Sequence, residues 1–160
     1  MVSLKWEPRN LEEVMKEVEE IERKRKRRID PKIKPLVRGL RRWGINTTMS
    51  CQGHYEKFPF PWVSIALKDV DKLLKICGWY NLQNKPKGND IRWVIFPMTF
   101  PSGEVSIRLV PRGKEPLEKL QESAIEFGKC LQKLPELPIF LQKSSLKTRS
   151  FLVRDSGCSS

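Results

Sequence analysis

The stretch Ile45-Asn46-Thr47-Thr48-Met49-Ser50-Cys51-Gln52-Gly53-His54 holds the only histidine of the chain, with a cysteine three residues before it and a glycine between them. Thr48 and Ser50 stand at strand spacing, so the segment reads as a short strand that ends in a bend. Gly53 is the residue that can turn such a bend, because it alone lacks the side chain that forbids the tighter dihedrals. Helical patterns precede this stretch, and a Pro- and aromatic-rich loop with a further strand follows it.

Upstream, Asn10 with Glu13 suits a helix N-cap. Leu11, Val14, Met15, Val18 and Ile21 then recur at helical spacing. The basic run Arg23 to Arg28 is expected to continue that helix towards Ile29. Asp30-Pro31 restarts it, with Asp as cap and Pro in the first turn. Ile33, Leu36, Val37, Leu40 and Trp43 make the apolar stripe of the second helix, which Gly44 ends. Lys34, Arg38, Arg41 and Arg42 fall on the side away from that stripe and are expected to form an exposed basic face.

Downstream, Tyr55 to Pro61 reads as a loop, and Tyr55 and Phe58 are expected to be exposed. Trp62 to Leu67 reads as a strand with Val63, Ile65 and Leu67 facing the core. Asp69 is placed to cap a short helix closed by Gly78, and Trp79 to Asp90 reads as polar loop. Ile91 to Phe96 and Glu104 to Val110 are two further strands, the second burying Val105, Ile107 and Leu109. Pro116 opens a last helix carrying Leu117, Leu120, Ala124, Phe127, Leu131 and Leu134 at three-four spacing, and Pro135 stops it. Trp43, Trp62 and Trp93 belong to the core. The order α-α-β-β-α-β-β-α defines an α+β domain over residues 1–142: a small mixed sheet of about four strands packed by helices. A basic helical hairpin (10–43) precedes the sheet and helices (45–134), and 143–160 reads as a mobile basic tail.

The 160 residues carry a net charge of +12, and its distribution is uneven. Arg23, Lys24, Arg25, Lys26, Arg27, Arg28, Lys32, Lys34, Arg38, Arg41 and Arg42 face a single anion, Asp30, a net of +10 in one hairpin. A field concentrated in this way favours a polyanionic partner, nucleic acid first. An anionic membrane would need an apolar anchor that is lacking, and no apolar run is long enough to cross a bilayer. With no hydrophobic leader at the N-terminus, the scattered Cys51, Cys77, Cys130 and Cys158 read as reduced thiols of a cytoplasmic protein.

Cys51-Gln52-Gly53-His54 admits several readings. As half of a zinc site it lacks a second histidine or a paired cysteine, so no metal is expected. As a catalytic pair, Cys51 would be a thiolate nucleophile or His54 a general acid or base. As a binding turn, backbone N–H groups around Gly53 would form an anion nest, with Thr48, Ser50, Gln52, Tyr55 and Phe58 holding a nucleotide. The bland reading is a buried cysteine with a histidine that merely caps the turn.

Asp30 to Leu67 resembles the region around the S-S-C-S-G-R signature of the small wybutosine-synthesis methyltransferases. Ser50, Cys51 and Gly53 match the second Ser, the Cys and the Gly, whereas Met49, Gln52 and His54 replace the first Ser, the third Ser and the Arg. Trp62 to Asn81 is similar in outline to that family's strand, helix and Gly-aromatic-x-Asn ending. The resemblance implies a related fold and a role on RNA, since those enzymes modify a guanosine of phenylalanine tRNA with S-adenosylmethionine. Thr47 to His54 also looks like a T-x-x-S-C-x-G-H pattern of small uncharacterised prokaryotic and phage proteins, which brings no function with it.

The expectation is therefore a nucleic-acid-binding protein, RNA before DNA. The hairpin cations from Arg23 to Arg42 would hold phosphates, and the bend would hold a nucleotide. An RNA-modifying enzyme acting through Cys51 and His54 is the first alternative. An interaction protein of phage or mobile-element origin, directed at an acidic partner, is the second. The residues specify neither a cofactor nor an oligomeric state.

Overall fold

A computed structural model describes residues 6–84 and 91–137. The tail from 143 to 160 and the Lys85–Asp90 segment lie outside the described residues. Four helices and four strands follow in the order α1 (Leu11–Arg25), α2 (Lys34–Arg42), β1 (Thr47–Cys51), β2 (Trp62–Ile65), α3 (Val70–Asn84), β3 (Arg92–Thr99), β4 (Val105–Arg112) and α4 (Leu117–Lys133). The fold is α+β, with strand order β1-β2-β4-β3 and every ladder antiparallel.

Asn10 caps α1 as the sequence implies, its Oδ1 accepting from the N–H groups of Glu12 and Glu13 at 2.9 and 3.2 Å. The basic run does not extend the helix to Ile29. The chain leaves α1 at Lys26, which adopts the left-handed conformation with φ 50°. This turn leaves Lys26, Arg27 and Arg28 exposed in a loop. The Asp30 carboxylate does not cap α2 either. Its carbonyl accepts from Ile33 and Lys34, α2 begins with no side-chain cap, and its Oδ2 accepts the N–H of Gln52 at 3.1 Å.

α2 packs against α4 through glycines. A Cβ on Gly128 would lie 2.2 Å from the Pro35 carbonyl carbon, and one on Gly39 would lie 2.8 Å from the Leu131 Cβ. Trp43 closes this interface by donating its indole N–H to the Leu131 carbonyl at 2.9 Å. Trp93 does the same on the sheet side, donating to Ser123 Oγ at 3.0 Å beside the Phe127 ring. The core expectations hold for Trp43, Trp62 and Trp93, all buried, and along α4 for Leu117, Leu120, Ala124, Phe127 and Leu131.

Three further elements differ from their sequence reading. β2 stops at Ile65, and Leu67 opens a 3-10 turn, where it is 64% exposed rather than core-facing. Val105 begins β4 beyond the edge of the core and is exposed, while Ile107 and Leu109 are buried as expected. Asp69 does not cap a short helix: buried in the 3-10 turn, it accepts the Asn46 N–H at 2.9 Å. Gly78 does not close α3, which continues as helix to Asn84. Asn81 explains the continuation, since it donates to the Trp93 carbonyl at 2.8 Å and accepts the Trp93 N–H at 2.9 Å. Burial of Trp79 and Tyr80 adds to that anchoring and outweighs the roughly 1 kcal/mol that a helical glycine costs.

Candidate functional site

β1 pairs with β2 from Thr47↔Ile65 to Cys51↔Trp62, with an irregularity between Thr47 and Met49. One extra residue there, Thr48, redirects the strand, as bulges do. The Thr48 carbonyl, released from the ladder, accepts from Arg25 Nη1 at 2.7 Å. The strand then turns at Gly53, whose φ is +92°, and a Cβ there would meet Leu117 Cδ1 at 2.7 Å and the Phe60 carbonyl group at 2.8 Å. Beyond it a small loop closes on itself: His54 N–H donates to the Phe58 carbonyl at 2.7 Å, and Phe58 N–H to the His54 carbonyl at 3.1 Å.

This geometry removes the anion nest. The N–H of Gln52 goes to Asp30, that of Gly53 to Cys51 Sγ at 3.4 Å, and that of His54 to Phe58. The bend presents side chains instead. His54 and Tyr55 are exposed, Phe58 is 41% exposed, and Cys51, Ser50 and Gln52 are half-buried. Gln121 of α4 locks the bend by donating to the Gln52 carbonyl at 2.9 Å while accepting from Lys32 Nζ at 2.9 Å.

Asp30 completes the site, and the sequence reading had assigned it only to capping. Its carboxylate, the Cys51 thiol and the His54 imidazole place their ligand atoms within 4.8 Å of one another. The one signal available was its isolation: a single acid among eleven cations.

The hairpin cations divide into two groups. Arg41 is buried rather than exposed: it donates to Thr47 Oγ1 at 2.8 Å, to the Thr47 carbonyl at 2.7 Å and to Glu17 at 2.8 Å. Burial draws its guanidinium below the ordinary value, against the pull of Glu17. Arg42 donates to the carbonyls of Leu131 and Leu134, and burial lowers it likewise. Lys34 pairs with Glu22, and Arg38 is half-buried. The basic face expected on α2 is thus directed into the protein. Arg23 pairs with Glu20, and Lys24 stands 3.9 Å from the same carboxylate. Lys26, Arg27 and Arg28 are exposed and make no ion pair among the described residues.

Of these, Arg27 and Arg28 border β1, whereas Lys26 lies beside Glu19, Glu22 and Arg23. Arg25, Arg27 and Arg28 share a depression of about 370 Å³ with Thr48, Met49 and Ser50. On the other side of the bend, Lys32, His54, Tyr55 and Lys57 line one of about 570 Å³. A larger trough, about 1030 Å³, runs from Tyr55 and Phe58 over Phe96 and Met98 to Arg108, Arg112 and Lys114. Arg108 lies 4.0 Å over the Trp62 ring, and Phe96 is 53% exposed. The sequence reading missed this wall, because Phe96 and Arg108 sit at alternating positions of strands taken to be ordinary sheet.

No protein-family model, curated protein or solved structure matches the chain.

Proposed function

We propose that the protein binds nucleic acid, RNA before DNA, across the Ser50–His54 bend. The observation that carries this reading is the depression shared by Arg25, Arg27 and Arg28 with Thr48 to Ser50, which sets unpaired cations against the exposed bend. Phosphates would bind Lys26, Arg27 and Arg28, and bases would stack on Tyr55, Phe58 and Phe96. Unpaired bases suit exposed rings, which favours single-stranded segments. The protein is taken to be cytoplasmic, in keeping with free thiols at Cys51 and Cys77. No helix among the described residues is long and apolar enough to cross a membrane.

Fluorescence anisotropy of a labelled single-stranded RNA over a salt series tests the reading. Three phosphates neutralised give a slope of log K against log salt of about −2, at roughly 0.7 per contact. Tyr55→Ala or Phe96→Ala costs about 1–3 kcal/mol without changing that slope. Affinity indifferent to salt, or displacement of RNA by nothing but an acidic protein, refutes it and favours the acidic-partner alternative.

The convergence of Asp30, Cys51 and His54 supports a second reading, an RNA-modifying enzyme of the kind the methyltransferase resemblance implies. Under that reading, Cys51→Ala and His54→Ala abolish turnover and leave RNA affinity unchanged.

A further inference from the structure

We infer that Asp30, Cys51 and His54 form a binding site for a divalent cation of the zinc type, with a coordination position open to solvent. The three ligand atoms lie within 4.8 Å of one another, so one ion can reach all three after small side-chain adjustments. The set offers a thiolate sulfur, an imidazole nitrogen and a carboxylate oxygen, the donors that zinc accepts in three-ligand open sites. Two anionic ligands neutralise a divalent ion, so it is not repelled by Arg25, Arg28 and Lys32 around it.

Each ligand comes from a fixed backbone position. Asp30 is held by the Gln52 N–H, which engages Oδ2 and leaves Oδ1 for a metal. Cys51 ends a paired strand, and its sulfur accepts the Gly53 N–H at 3.4 Å. His54 sits on a loop closed by two backbone hydrogen bonds to Phe58. The glycine conformation at residue 53 makes the Cys-x-x-His spacing fold back on itself. His54 is exposed and borders the 570 Å³ depression, so the fourth position faces an open space edged by Lys32, Tyr55, Glu56, Lys57 and Glu118. Mutual closeness of all three groups is what a central ion needs. The inference does not depend on RNA binding.

The test uses the full chain and Co²⁺ as a spectroscopic stand-in. One equivalent of Co²⁺ is expected to produce a thiolate charge-transfer band and visible d–d bands of a low-coordinate ion. Cys51→Ser abolishes the charge-transfer band, and Cys130→Ser retains it. Asp30→Asn and His54→Gln keep the band at saturation but weaken Co²⁺ binding by more than about 100-fold, beyond what loss of an outer-sphere partner costs. Far-UV circular dichroism checks that each variant folds. In the unaltered chain, stoichiometric Zn²⁺ slows iodoacetamide alkylation of Cys51 at least tenfold and leaves Cys130 unaffected, a readout that needs no variant. Absence of a cobalt band, a band that survives Cys51→Ser, or Cys51 alkylation indifferent to Zn²⁺ overturns the assignment.

Discussion

Replacing Arg41 with alanine separates the two groups of hairpin cations. Its guanidinium makes two hydrogen bonds to Thr47, at 2.7 and 2.8 Å, and one to Glu17 at 2.8 Å. Truncation leaves the Thr47 carbonyl and hydroxyl buried without that donor, at about 1–3 kcal/mol for such a group. Glu17 is only partly stranded: its side chain is 32% exposed and retains Arg9 at 2.7 Å, so the full penalty of an orphaned buried charge does not apply. The expected loss is about 3 kcal/mol, or on the order of 10 °C in Tm for a domain of this size. Arg41→Lys recovers only part of it, because an ammonium cannot span both Thr47 atoms and Glu17. Urea denaturation followed by circular dichroism reads the stability, and RNA anisotropy at a temperature where both forms are folded reads the affinity. The paired variant Arg27→Ala/Arg28→Ala should shift stability by less than about 0.5 kcal/mol. It should instead make the salt slope shallower by about 1.4, two contacts at roughly 0.7 each. An Arg41→Ala protein that unfolds at the wild-type urea concentration yet binds RNA poorly refutes the division.

Gly128→Ala should lower stability by more than about 3 kcal/mol, beyond ordinary overpacking, because its Cβ would meet backbone of α2 at 2.2 Å; a fall in the urea midpoint measures it. Burial pushes the Cys77 thiol up to about 12, against a weaker opposing pull from Asn81, so mass mapping after brief alkylation at mildly alkaline pH should find Cys51 modified and Cys77 untouched. Burial pushes the Glu22 carboxyl up, but Lys34 and the Ile29 N–H outweigh it and hold the group below its ordinary value of 4.5. A carboxyl lowered in the folded state contributes stability that is present above 4.5 and lost as pH falls through the depressed value. Glu22→Gln should therefore flatten the acid limb of a pH–stability profile, and an unchanged limb would contradict the pairing.

The bend, α4 and the buried tryptophans were legible because local pattern and tertiary environment agree there. Leu117 to Leu131 repeats on one helical face and meets one core. Thr47 to Cys51 has strand spacing, and Gly53 takes the positive φ its position called for. The cations of α2 were not legible for a geometric reason. A helical wheel reports which residues lie opposite the apolar stripe, not whether solvent is there. Around α2 that other side meets Glu17 and Glu22 of α1, Thr47 of β1 and carbonyls at the end of α4. Asp30 escaped notice because an Asp before a Pro at a helix start is so commonly a cap that local chemistry supplied a complete explanation. Its partner lies 22 residues further on, across the hairpin.

The division of the cations explains how a strongly basic hairpin can also be a rigid one. Ten net positive charges between Arg23 and Arg42 would repel one another if all stood in water. Lys34 and Arg41 of α2 each take a carboxylate of α1, contacts that fix α2 against α1, while Arg23 pairs with Glu20 within α1 itself. Arg42 spends its charge on helix-end carbonyls of α4, where a cation also opposes the helix dipole. Arg27 and Arg28, in the short loop that Lys26 turns by its left-handed conformation, make no ion pair among the described residues and border Thr48 to Ser50. Gln52, held by Asp30, Lys32 and Gln121 at once, keeps the bend still beside it. Under the proposed reading, a ligand at Arg27 and Arg28 would meet Thr48, Met49 and Ser50 on a strand already held in place, without first having to order it.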